Sequence, residues 1–124
     1  LIRSIGLDIV DVSRIKKDVE RFGDRFVKRI LGEMEISTFV TRIDKEVFLA
    51  GRFAAKEAVI KGLSPFLEKR PSLNVIEIVN DTTGHPELSL PTEIQKKLGK
   101  AKCILSLTHE RNYAAAVAIF AEEK

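Results

Sequence analysis

Apolar and polar positions alternate at the start of the chain. In "IRSIGLDIVD", residues 2–11, Ile5, Leu7 and Ile9 fall on one side and Ser4, Gly6, Asp8 and Val10 on the other. That period of two predicts a strand. Asp11 or Ser13 then caps a helix in which Ile15, Val19 and Phe22 recur at helical spacing, and Gly23 closes it. Residues 24–31 and 33–41 read as two short helices separated by Gly32, and Asp44 opens a long helix running to about Leu63. "SPFLEKRPS", 64–72, is a loop by composition. "LNVIEIVND" reads as a strand, "NDTTGHP" as a turn and "ELSL" as the returning strand of a hairpin. "PTEIQKKLG" is a short helix with Pro91 near its start and Gly99 after its end. "KCILSLTHE" and "YAAAVAIFA" form a second hairpin around a tight turn at Glu110–Asn112. The order predicts one α+β domain over residues 1–124, with an antiparallel sheet, a long central helix and several short helices.

The long helix poses a problem. At about 100° per residue, Leu49, Phe53 and Ile60 form an apolar stripe with Glu57 beside it and Lys61 next to Glu57. Phe48 and Val59 lie on nearly the opposite side, so the helix is apolar on two faces yet keeps a carboxylate and an ammonium where burial is costly. Either the two form a solvated i,i+4 ion pair, or they serve a site. Asp8 has two readings as well. It ends its strand and helps cap the next helix, or it faces a ligand admitted by the missing side chain of Gly6. His109, with Ser106 and Thr108, stands at the end of a strand, either as a structural hairpin histidine or as a functional group.

Composition narrows the classes. With 124 residues, 44% hydrophobic and 31% charged, the chain has the size and make-up of one ordinary domain with a real core. Its longest uninterrupted apolar run, residues 113–121, falls well short of the roughly twenty residues a spanning helix needs. No basic–apolar–small pattern opens the sequence, so the expected compartment is the cytoplasm, away from the membrane. The single cysteine, Cys103, lies in an apolar run and is expected as a small core residue; with two histidines it gives no zinc spacing. A net charge of +3 biases the chain mildly towards anionic partners. Seven Phe, one Tyr and no Trp, with basic residues spread along the chain, make no interleaved platform for nucleic acid.

Neither a G-x-S-x-G elbow nor a glycine-rich phosphate loop occurs. Phosphate chemistry would therefore rest on side chains and metal. Two carboxylates on separate elements, with a lysine and a histidine, suit Mg²⁺ and a polyphosphate, because Mg²⁺ takes only one or two protein carboxylates. A basic α+β module that binds nucleotides or RNA without catalysis is the rival from another class; it needs positive charge but no acid pair.

Three segments taken together carry a specific likeness. "IGLDIVDVSRI" looks like a G-x-D-x-x-x-x-x-R-I signature, "FLAGRFAAKEAVIKGL" like an F-A-A-K-E-A-x-x-K helix, and "LSLTHERNYAAAVAI" like a closing S-x-[ST]-H element. In that order and spacing the chain resembles the holo-acyl-carrier-protein synthase family, the small bacterial 4′-phosphopantetheinyl transferases. "TTGHPEL" is similar to the family's G-[KR]-P turn, with His85 in place of the usual base, and Ser4 stands where glycine is frequent. The resemblance implies transfer of 4′-phosphopantetheine from coenzyme A to a serine of acyl carrier protein. It implies that Asp8 and Glu57 bind Mg²⁺ with the coenzyme A diphosphate, and that Lys61 and His109 neutralise or orient the phosphates. Arg14 is implied to contact carrier protein or coenzyme, with Arg52 as a further phosphate contact. It also implies a homotrimer with active sites at subunit interfaces. An acidic carrier protein would be steered by Arg14, Lys16, Lys17 and Arg21 of the first helix and by Arg25.

Overall fold

The computed structural model describes residues 1–123. β1 (Ile2–Asp11) is followed by three short helices, α1 (Val12–Phe22), α2 (Asp24–Ile30) and α3 (Glu33–Phe39), and then by the long α4 (Lys45–Leu63). A single 3₁₀ turn at Leu73–Val75 leads into the hairpin β2 (Glu77–Asn80) and β3 (Pro86–Ser89), then α5 (Thr92–Leu98) and the hairpin β4 (Lys102–His109) and β5 (Tyr113–Ala121). β1, β5 and β4 form one antiparallel sheet with β5 in the middle, and β2–β3 form a separate pair. The α+β architecture read from the sequence is the observed one.

Several ends follow from local chemistry. Asp11 caps α1 by accepting from the Ser13 N–H at 2.9 Å, which frees Asp8 from that duty. Gly23 closes α1 at φ 62°, a conformation that costs other residues. Asp44 precedes α4, but its carboxylate takes both arms of Arg42, at 2.8 and 2.9 Å, and caps nothing. The predicted strand over "LNVIEIVND" shortens to its second half. Asn74 donates to the Lys28 carbonyl and pins the first part to α2 as a turn, with Ile76 and Ile78 buried in the core and Leu73 packed at its edge.

α4 lies across the inner face of the three-stranded sheet and is buried along most of its length. Leu49 and Ile60 are buried, as are Phe48 and Val59 on the other side, so both apolar faces seen on the helical wheel are covered. Phe53, Glu57 and Lys61, spaced four apart, are left as a partly open seam. Ala114, Ala116, Ala118 and Phe120 of β5 pack under the helix.

Burial on β1 inverts its hydropathy. Ser4, Gly6, Asp8 and Val10 face α4, whereas Ile5, Leu7 and Ile9 are 57–66% exposed on the outer face. Gly6 serves the helix and not a ligand: a Cβ there would lie 1.8 Å from the Ala58 carbonyl oxygen. Gly62 completes the contact, since a Cβ on it would meet the Phe120 ring at 2.4 Å. Ser4 donates its hydroxyl proton to the Gly62 carbonyl at 2.6 Å and ties the two backbones directly.

Candidate active site

The contact between β1 and α4 brings two of the candidate residues together. Lys61 reaches from the last turn of α4 to Asp8 Oδ1 at 3.1 Å and to the Leu7 carbonyl at 2.9 Å. Asp8 is therefore a mid-strand acid facing the helix, and the reading that it ends the strand falls away. Glu57, one turn back on the same seam, accepts from Arg70 at 2.7 Å. The i,i+4 pairing of Glu57 with Lys61 is replaced by two pairings across elements. Both acids are half-buried, with side chains 17% exposed. Arg70 had no signal beyond its place in a basic loop just after the helix. A cavity of about 460 Å³ opens beside this group, bounded by Ile60, Lys61, Leu67, Arg70 and Pro71.

His109 belongs elsewhere. It ends β4 on the inner face and borders a cavity of about 310 Å³ with Arg42, Arg52, His85 and Phe48. Arg52 and Lys61 are nine residues apart on one helix, roughly 13 Å along its axis. Within one chain the sequence candidates thus divide into an acidic pair with Lys61 and Arg70, and a basic cavity with His109 and Arg52. Arg14 is exposed on α1, and among the described residues no hydrogen bond or ion pair links it to either group. Ser106 and Thr108 alternate with Leu107 and His109, so their side chains leave from the other face of β4.

The basic cavity is built on one aromatic ring. The guanidinium carbons of Arg42 and Arg52 lie 5.1 and 4.7 Å from the Phe48 ring centroid, within cation–π range. Hydrogen bonding to Asp44 raises the Arg42 guanidinium further above its usual range and holds the Asp44 carboxyl below its own. Burial pushes Arg52 down, and the nearby charge of Glu35 pulls it back up. His85 comes in on the β2–β3 turn, with its Nδ1 3.0 Å from the Thr83 hydroxyl. Among the described residues no acid lines the cavity. Two guanidiniums and two imidazoles, with Arg42 already paired to Asp44 and the others facing the cavity, make a receptor for an anion such as phosphate.

Behind Arg52 lies a buried charge cluster that sequence reasoning did not single out. Lys56 is fully buried and donates to Glu35, itself 1% exposed, and to the Ile30 carbonyl. A signal existed: on the helical wheel, Arg52 and Lys56 project within about 80° of Phe48, into a face otherwise apolar. Cys103 is half-buried on the inner face of β4, and burial pushes its thiol up to about 12, far from a nucleophile's range.

The donor chemistry at the seam fits a hard divalent cation. Asp8 and Glu57 are carboxylates in a place that already draws in two protein cations, Lys61 and Arg70. Among the described residues no group of three or more metal-binding side chains occurs, so a cation held by these two acids would take most of its shell from water and ligand oxygens.

Relatives share this framework. Residues 4–118 match the family model of the 4′-phosphopantetheinyl transferase superfamily. A holo-[acyl-carrier-protein] synthase of Shewanella amazonensis is 43% identical over 118 residues, covering 93% of this chain and 94% of that protein. The crystal structure of the synthase from Neisseria meningitidis superposes with a TM-score of 0.89 at 32% identity, over 98% of this chain and all of the other. That of Helicobacter pylori, solved in complex with coenzyme A, gives 0.82 at 33% identity over 94% and 99%. Agreement of this degree along almost the whole of each chain has one reading: the chain belongs to the 4′-phosphopantetheinyl transferase superfamily.

Proposed function

We propose that the chain is a holo-acyl-carrier-protein synthase, transferring 4′-phosphopantetheine from coenzyme A to a serine hydroxyl of apo-acyl carrier protein and releasing adenosine 3′,5′-bisphosphate. The observation that carries the reading is the meeting of Asp8 and Lys61 across β1 and α4, with Glu57 one turn away. This is the motif residues' own geometry, and relatives of the same fold are named for this reaction and one is solved with coenzyme A.

The serine hydroxyl gives up its proton to solvent water as its oxygen forms a bond to the phosphorus next to the pantetheine arm. The bond from that phosphorus to the bridging oxygen of the diphosphate breaks, and charge builds on the departing phosphate. Lys61 stands where it can stabilise that charge, and fixed positive groups do so without reorganising during the step. Asp8 and Glu57 would hold Mg²⁺, which when bound supplies further positive charge to the diphosphate oxygens. Arg42, Arg52, His85 and His109 bind a phosphate group of coenzyme A in the basic cavity and so fix the substrate for in-line attack.

Separation of the two groups along α4 supports a site completed between copies of the chain. The outer sheet face supports the same: Ile5, Leu7, Ile9 and Ile104 are all exposed, a row that monomers seldom leave in water. A homotrimer that buries this face is the assembly proposed. The exposed basic residues of α1, Arg14, Lys16, Lys17 and Arg21, with Arg25 of α2, form the docking surface for an acidic carrier protein.

Incubation with coenzyme A, Mg²⁺ and apo-carrier protein, read by intact mass, tests the function. The expected result is a gain of one phosphopantetheine on the carrier, abolished by chelator. An unchanged carrier mass with Mg²⁺ present would overturn the reading.

A further inference from the structure

Glu35, Lys56 and Arg52 are 1%, 0% and 6% exposed, three charged side chains in the protein interior. Apolar groups of equal volume commonly serve stability as well or better, so such a cluster calls for a second reason. Its charge balance gives one: among the fully buried groups a single carboxylate faces two cations, with the carboxylate of Glu77 at the edge of the cluster, on the N–H groups of Met34 and Glu35. Glu35 Oε1 accepts from Lys56 and from the Gly32 N–H at 3.0 Å. Oε2 accepts from the Ile78 N–H at 3.0 Å and lies 3.7 Å from Arg52 Nε, close enough to attract but too far to bond. Arg52 Nε is buried without a hydrogen-bond partner among the described residues. The guanidinium is thus drawn from behind by Glu35, on which side its Nε stays unbonded, flanked by the Phe48 ring, and Arg52 lines the cavity.

We propose that Glu35 is a positioning residue for phosphate binding, holding the Arg52 guanidinium at the wall of the basic cavity while Lys56 takes up half of its carboxylate. The inference rests on the reading of that cavity as part of the coenzyme A site. Lys56 matters because an unshared Glu35 would neutralise Arg52 completely; shared with Lys56, Glu35 leaves part of the Arg52 charge for the ligand. The same carboxylate fixes a second wall. Ile78 is on β2, whose turn carries His85, so one side chain registers α4 against the β2–β3 hairpin.

A double-mutant cycle on coenzyme A affinity, measured by calorimetry without turnover, tests the assignment. Arg52→Ala is expected to weaken binding about 30-fold and Glu35→Gln about 10-fold, as losses of charge-assisted contacts. The double variant should bind within about twofold of Arg52→Ala alone, because Glu35 acts through Arg52. A purely structural role would not produce that coupling. If the two losses multiply, or if Arg52→Ala binds like wild type, the proposal is overturned. Should Glu35→Gln fail to fold, the cycle is run with Glu35→Gln combined with Lys56→Met, which removes the buried pair as a unit and leaves Arg52 equally unsteered. Wild-type protein that does not bind coenzyme A would sink the functional reading itself; multiplying losses in a protein that binds and transfers would sink only the role of Glu35.

Discussion

Asp8 and Glu57 each hold a protein cation at hydrogen-bond distance, and each partner is more than half exposed. Pairs of that kind contribute at most about 1 kcal/mol to stability. Removing either acid should therefore leave the fold intact and act on chemistry. Asp8→Asn or Glu57→Gln is expected to lower phosphopantetheine transfer on the order of 100-fold, with the melting temperature within a few degrees of wild type. Near-normal transfer in either would remove that acid from the site. Lys56 is the opposite case. Lys56→Met takes from the buried Glu35 its one hydrogen-bonded cation and should cost about 3–5 kcal/mol, read as a lower denaturant midpoint with unchanged slope. Cys103 offers a pH handle. Its thiol lies at about 12 against an ordinary 9.0, so the native state keeps the proton that the unfolded chain loses. Stability from this group is whole below pH 9 and declines as pH rises towards 12. Alkylation at pH 9 should be slow in native protein and fast in denaturant; equal rates would contradict the burial. At this scale the sequence pointed to Asp8, Glu57 and Lys61 because strand and helix periods are regular. It did not point to Glu35, which sits in a seven-residue helix too short for a readable face and meets Lys56 across 21 residues of chain.

Among elements, the contact between β1 and α4 decides most of the geometry. Gly6 and Gly62 let the two backbones touch with no side-chain layer between them. Gly6→Ala would force the helix off the strand and is expected to destabilise by about 3 kcal/mol or more. The displaced helix should also part Lys61 from Asp8, so transfer should fall further than the loss of folded protein explains. A circular-dichroism melt alongside the mass assay separates the two effects. The boundaries of β1, α1, β4 and β5 were legible within a residue or two, since each has a clear period and Gly, Asp or a tight turn at its end. The role of Gly6 was not, because a missing side chain fits a ligand and a helix equally well on paper. The outward turn of Ile5, Leu7 and Ile9 was hidden for the same kind of reason: alternation tells which residues share a face, and only packing tells which face is inside.

For the whole molecule, the outer sheet face is the feature that asks for a neighbour. Leu7→Lys is expected to shift the proposed trimer to monomer in light scattering, with transfer lost alongside assembly. A variant that stays trimeric would show that the interface lies elsewhere. The proposed docking of an acidic carrier on α1 belongs to this scale too. Raising salt from 0.05 to about 0.5 M shortens the Debye length severalfold. It should slow the carrier-dependent rate while leaving coenzyme A binding in the cavity nearly constant. Among the described residues no helix is long and apolar enough to cross a membrane.

The bare approach of Gly6 to Ala58 and Gly62 has one more consequence. Layers of interlocking side chains swell and reshuffle as a protein warms, and distances measured across them drift. Main chain resting on main chain has nothing to reshuffle. Asp8 is two residues from that rest and Lys61 one, so the separation of their main chains is set by a hard stop and not by soft filling. Such a catalyst should hold its working dimensions while the rest of the molecule loosens, and should fail abruptly, when the helix finally lifts.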